Sequence, residues 1–262
     1  MINPRITNKG KLGKVLDKCW QDMHLDKPKF VVITGRVRTG KSRSLFLNII
    51  DYWYKTNFNK VPPKDCFGVK FEDYINSLNR SKEYNVVGLD EGGDTFNKSA
   101  TGRKRLNDLY ETYGIIMEKR IFTIIVLPSI FDLDNKFAQN HVTYWINATR
   151  RIDNKCKKCD TSFVGKRCYK CGSKNYKEGY VIFNFYTQNR LRKILQYNEN
   201  RPIKKIYCGV KCLFQSMIKE YKGELIEYYS KLKSNKIESK IKTLNDNYGI
   251  KNNKKQVAKG AI

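Results

Sequence analysis

The chain has 262 residues, enough for one α/β core with appendages or for two modest domains. Its 52 Lys and Arg against 25 Asp and Glu give a formal net charge of +27, a positive field whose natural partners are polyanions, nucleic acid before an anionic membrane surface. The longest apolar runs, residues 30–33 and 121–128, have strand length and exclude a membrane-spanning helix built on them; residues 1–8 are polar and read as no secretory signal, so a cytoplasmic protein is expected, its eight Cys reduced or metal-bound.

Residues 11–24 read as a short helix, 30–33 as a buried strand and 42–54 as a helix. The turn between the last two, Gly35-Arg36-Val37-Arg38-Thr39-Gly40-Lys41-Ser42, matches G-x-x-x-x-G-K-S without a gap, and Arg43 follows at the helix start. The spacing has a physical basis. The two Gly let the backbone curl so that its N–H groups face phosphate oxygens. Lys41 reaches the β and γ phosphates, the Ser42 hydroxyl ligates Mg²⁺, and the helix presents its positive end. Residues 35–43 are therefore the expected ATP-binding segment.

Residues 66–71 are an expected second strand, 71–79 a helix, and 84–90 a third strand closed by Gly92-Gly93. The third strand ends in Asp90 and Glu91. An Asp there can hold Mg²⁺ through water, and the adjacent Glu is placed to polarise an attacking water, which favours hydrolysis over transfer to a small acceptor. Residues 106–119 read as a helix, 121–127 as a strong fourth strand stopped by Pro128, and 141–152 as a further strand.

Composition changes at Arg151. Residues 151–207 hold fifteen Lys/Arg against four Asp/Glu, and Cys156-x-x-Cys159 is followed after eight residues by Cys168-x-x-Cys171. Two such turns aim four thiolates at one point, a closed S₄ site for structural Zn²⁺, with iron as the competing metal. Gly165 and Gly172 suit the knuckle turns. Lys155, Lys157, Lys158, Lys166, Arg167, Lys170 and Lys174 surround the block and fit contact with nucleic acid; the alternative is a stabilising clip on a hairpin of 145–152 with 180–186. Tyr176, Tyr180, Phe183, Phe185 and Tyr186 are either base-stacking or alternately buried. Residues 212–242 read as a helical stretch, with Ile218, Tyr221, Leu225, Tyr228, Tyr229 and Leu232 as packing positions, and the chain from about 245 as frayed or disordered. Cys208 and Cys212 read as buried thiols, Cys19 and Cys66 as core residues, and His24 and His141 take no role.

The phosphate-loop motif, the acidic pair and the later strand resemble the additional-strand, catalytic-glutamate division of P-loop NTPases. Residues 118–128, Glu-Lys-Arg-Ile-Phe-Thr-Ile-Ile-Val-Leu-Pro, look like the fourth-strand segment of FtsK–HerA-type DNA-pumping ATPases and their zonular-occludens-toxin-like relatives in viruses and plasmids. The resemblance covers roughly residues 28–150. It implies an arginine finger just before that strand, supplied across a subunit interface of a ring, where Arg120 stands, with Arg103 and Arg105 as rivals. The family often places a Gln at the end of that strand; here Pro128 and Ser129 follow Leu127.

The expected fold is therefore α/β: a P-loop core with a parallel sheet flanked by helices over 28–150, preceded by a helical segment over 1–27. A basic zinc-knuckle hairpin follows over 151–207, and a helical tail over 208–262. The expected activity is ATP hydrolysis driving movement or packaging of DNA, with Lys41, Glu91 and Arg120 catalytic, Ser42 and Asp90 holding Mg²⁺, and the protein a homo-oligomeric ring. The alternatives are an assembly or secretion ATPase at a membrane, and a kinase or nucleotide switch.

Overall fold

The computed structural model describes residues 10–90, 92, 100–163, 167–205 and 209–247. In chain order the main elements are α1 (Lys11–Met23), β1 (Lys29–Gly35), a π-type first turn (Lys41–Phe46) leading into α2 (Leu47–Asn57), β2 (Phe67–Gly68), α3 (Phe71–Arg80), β3 (Val86–Leu89), α4 (Ala100–Glu118), β4 (Phe122–Val126), α5 (Asn135–His141) and β5 (Tyr144–Ile152). The short strands β6 (Asn154–Cys156), β7 (Ser162–Phe163) and β8 (Tyr176–Lys177) follow, then β9 (Tyr180–Thr187), α6 (Gln188–Asn198), β10 (Phe214–Lys219) and α7 (Leu225–Asn247).

Seven strands form one sheet in the order β10-β9-β5-β1-β4-β3-β2. The five from β5 to β2 are parallel, while β9 and β10 extend the sheet antiparallel. Parallel strands covered on both faces need apolar side chains at every position. The sequence supplies them: β1 is buried along its whole length, Val31 and Ile33 in one core and Phe30 and Val32 in the other. α1, α2 and α7 contribute to the first core, and α3, α4, α5 and α6 to the second, giving helix–sheet–helix layers. α2 is buried from Leu47 to Tyr54, so the helix that follows the Gly-rich turn is held from all sides.

Several expectations need correction. The second strand shrinks to two residues because a 3₁₀ turn takes Lys64–Cys66. The strand expected over 141–152 starts at Tyr144, since Asp134 caps a short helix with its side chain on the Phe137 N–H (2.9 Å). Residues 212–242 are not one helix. Phe214–Lys219 is an edge strand paired with β9, and the helix begins at Leu225. The sheet thus draws on residues well beyond 150. The hairpin of 145–152 with 180–186 is present, with Ile152 opposite Tyr180. Among the described residues no helix is long and apolar enough to cross a membrane.

Candidate functional site

The Gly-rich segment lies between the end of β1 and the wide first turn of its helix, in the centre of the sheet. Its backbone needs two glycines. Gly35 has φ 152°, and a Cβ there would sit 2.6 Å from the Ala148 carbonyl oxygen. Gly40 is left-handed at φ 81°, and a Cβ there would come within 2.7 Å of Val181 Cγ2. Arg38 also takes a positive φ of 66°. The Thr39 hydroxyl donates to the Arg36 carbonyl at 2.8 Å and tightens the turn. Lys41 folds back over the loop, its ammonium donating to the Gly35 carbonyl at 2.7 Å. Arg36, Val37, Arg38 and Arg43 are exposed, while Thr39 is buried.

The end of β3 meets this loop. Asp90 is fully buried, its N–H donates to the Gly68 carbonyl at 2.9 Å, and Ser42 donates its hydroxyl to Asp90 Oδ1 at 2.7 Å. Two hard oxygens at this separation suit a small divalent cation such as Mg²⁺. The other carboxylate oxygen, Oδ2, accepts from the Tyr229 hydroxyl at 2.6 Å and pairs with Lys233 Nζ at 2.9 Å. Removing the cation from a buried carboxylate pair costs about 3–5 kcal/mol, so Lys233 and the Tyr229 hydroxyl compensate the burial of Asp90.

A cavity of about 470 Å³ opens over the loop, walled on one side by Val126, Leu127 and Pro128. Among the described residues lining it, Arg38, Lys41, Arg43, Arg151, Lys233 and Lys240 are cationic and Asp90 alone is anionic. Such a pocket concentrates polyanionic ligands. The sequence reading gave no site role to Tyr229, Lys233, Lys240 or Arg151. The available signal was the spacing of 229, 233, 236 and 240, which puts all four on one helix face.

Glu91 lies outside the described residues, as do Gly165, Lys166, Cys208 and the side chains of Arg103 and Arg105. Arg120 is described, and it stands at the opposite end of the strands from the loop, because Phe122 pairs with Lys29 at the start of β1. Its guanidinium bonds to Glu83, and its hydrogen bond to the Tyr84 hydroxyl (2.7 Å) and its pairing with Asp26 raise its pKa further above its ordinary value.

The four cysteines converge. The sulfurs of Cys156, Cys159, Cys168 and Cys171 all lie within 4.8 Å of one another, and Cys159 Sγ is 3.5 Å from both Cys168 and Cys171. A tetrahedral Zn²⁺ with Zn–S bonds of about 2.3 Å requires sulfurs ~3.8 Å apart. The set fits, and these four residues could hold zinc. The two turns are built alike: the Asp160 N–H returns to the Cys156 carbonyl (3.0 Å) and the Gly172 N–H to the Cys168 carbonyl (2.8 Å). Asp160 (φ 57°) and Gly172 (φ 65°) are both left-handed, so the first knuckle places an Asp, and the second the expected Gly172, in the left-handed position. Hydrogen bonds from Thr161 hold the Cys159 thiol down to about 6. Cys171, despite the Ser173 N–H that favours its thiolate, is pushed up to about 12 by burial and by the neighbouring sulfurs. Four thiolates this close repel, and a divalent cation relieves that repulsion.

The aromatic residues divide. Phe183, Phe185 and Tyr186 are core, with Tyr186 stacked on Trp145 at 4.4 Å, and cannot stack on bases. Tyr176 packs edge-on against Phe163. Lys157, Lys158, Arg167, Lys170 and Lys174 are exposed around the knuckles, and Tyr169 among them is 80% exposed.

No family model matches the chain, and no curated protein matches it. Among solved structures, the chain is similar to the N-terminal domain of zonular occludens toxin from Neisseria meningitidis. The TM-score is 0.34 at 11% identity, covering 78% of this chain and 97% of that one.

Proposed function

We propose that the protein is an ATP-hydrolysing P-loop enzyme that acts on DNA. The observation that carries the hydrolytic part is the Ser42–Asp90 contact at 2.7 Å beneath a cation-rich cavity. A triphosphate needs donors and cations around its oxygens, and a Mg²⁺ site between the loop hydroxyl and a strand-end carboxylate. Lys41 and the loop backbone would bind the β and γ phosphates; Ser42 and Asp90 would hold Mg²⁺, which supplies charge neutralisation at the phosphates. Glu91, next in the chain, is assigned the water-polarising role. The position of β4 between β1 and β3 supports the additional-strand reading.

The DNA part rests on charge and placement. The net charge is +27, and the knuckles expose several cations around Tyr169, a combination suited to backbone contact and base stacking. Assembly into a ring with Arg120 as a trans finger is part of this reading, and it requires Arg120 to leave Asp26 and Glu83. The test is ATP turnover with and without DNA across a salt series. Stimulation by DNA that fades between 50 and 200 mM salt, where six phosphate contacts cost about a thousandfold in affinity, supports the reading. Turnover indifferent to DNA at low salt removes the DNA-acting part and leaves a nucleotide switch.

A further inference from the structure

We infer that α7 is a working wall of the nucleotide site, and that Lys233 is an exchangeable cation that leaves Asp90 for the triphosphate when Mg²⁺ and nucleotide enter. The inference rests on the P-loop reading above and extends it to a helix remote in sequence.

Three observations carry it. First, Asp90 is fully buried, and Lys233 neutralises it at 2.9 Å on the oxygen that Ser42 does not use. The ammonium therefore occupies the electrostatic role of a metal ion at the carboxylate expected to hold one. A divalent cation at Asp90 makes that ion pair redundant and, at this distance, repels the ammonium. Second, the released side chain has somewhere to go. Lys233 and, two turns on, Lys240 line the same cavity as Lys41 and Arg38, where phosphate oxygens would lie. Third, the helix itself is fixed. Leu225 and Tyr229 are buried, Tyr228 and Tyr229 pack on Phe67 with ring centroids 5.7 and 6.3 Å apart, and Lys236 donates to the Val69 carbonyl at 2.8 Å. A rigid helix with a four-carbon stem at Lys233 allows the charge to switch partners without moving the fold.

The exchange has a consequence for binding order. Without Mg²⁺ Lys233 stays on Asp90, so metal-free nucleotide meets Lys41, Lys240 and the arginines but not Lys233. With Mg²⁺ the site gains one more cation for phosphate. The triphosphate is then read in part by α7, and a nucleotide lacking the γ phosphate gains less from Lys233.

The experiment is a lysine-acylation footprint of the wild-type full chain, read by mass spectrometry, in buffer, with ATP plus EDTA, and with a Mg²⁺–ATP analogue that is not hydrolysed. Protection of Lys41 and Lys240 in both nucleotide conditions, with a change at Lys233 only when Mg²⁺ is present, is expected. Protection of Lys41 with Lys233 unchanged throughout overturns the α7 inference and leaves the P-loop reading intact. No nucleotide binding and no change at Lys41 overturns both. Equilibrium binding of the Lys233→Met variant provides a second reading: its affinity for the Mg²⁺-bound analogue should fall about tenfold to a hundredfold. Lys233→Arg should recover most of it. Equal affinity of Lys233→Met and wild type, both folded, contradicts the inference.

Discussion

The Ser42 hydroxyl stands 2.7 Å from Asp90 Oδ1, though 48 residues separate the two in sequence. β1 and β3 are not neighbours; β4 lies between them, and the wide first turn of the helix reaches over it to bring the hydroxyl to the carboxylate. If this pair holds Mg²⁺, Ser42→Ala should keep ATP binding in EDTA and lose the Mg²⁺-dependent gain in affinity. Calorimetric titration with and without Mg²⁺ checks this, and an undiminished Mg²⁺ effect would place the metal elsewhere.

The loop glycines are conformational requirements. Gly40→Ala forces a Cβ at φ 81° to within 2.7 Å of Val181, and should destabilise the fold by about 1–3 kcal/mol. Gly114 is the control. It lies in α4 with nothing within 4 Å of its would-be Cβ, so Gly114→Ala should stabilise by roughly 0.5–1 kcal/mol. Denaturant unfolding midpoints of the two variants should move in opposite directions.

The knuckle should carry about one zinc per chain. Cys159→Ser should lose it, along with resistance to proteolysis near residues 154–177. Nucleotide binding should persist, because β6, β7 and β8 form their own small sheet outside the seven-stranded one. Elemental analysis of freshly purified protein without zinc or iron would contradict the assignment.

Glu178 links the knuckle to the main sheet. Hydrogen bonds from Lys219 and Lys222 of the β10 segment lower its carboxyl from 4.5 to about 2. A depressed carboxyl pKa stabilises the folded state above the unfolded value and loses that stabilisation as the pH falls through the folded one. Wild type should therefore lose stability relative to Glu178→Gln as pH drops from about 4.5 to about 2. The difference in unfolding midpoint between the two proteins, followed across that range, should shrink toward acid; a constant difference would show the link to be without effect. The pair is partly exposed, so the effect is modest.

Much of the core was legible because parallel strands covered on both faces write themselves as unbroken apolar runs, as Phe30 to Ile33 and Ile124 to Val126 do. The phosphate loop and the cysteine block were legible because their residues are contiguous or regularly spaced. β10 was not: as an edge strand its Phe214, Ser216 and Ile218 alternate with exposed Gln215, Met217 and Lys219, and this merged with the helical spacing that begins at Leu225. The α7 side of the site was also hidden. Tyr229 and Lys233 read as ordinary members of a Lys/Glu-rich amphipathic helix, and only the tertiary packing of that helix against Phe67 delivers them to Asp90. Arg120 illustrates the converse, since its place before β4 was plain in sequence while its contacts with Asp26 and Glu83 depend on the fold.

The central claim is hydrolysis of a nucleoside triphosphate at residues 35–42. The most direct measurement is steady-state release of phosphate from ATP by wild type, Lys41→Ala and Glu91→Gln, paired with equilibrium nucleotide binding by each. The account predicts turnover by wild type, loss of both binding and turnover in Lys41→Ala, and retained binding with turnover reduced by roughly a hundredfold or more in Glu91→Gln. Wild-type protein that neither binds nor hydrolyses ATP, or a Lys41→Ala variant that turns it over at the wild-type rate, would contradict it.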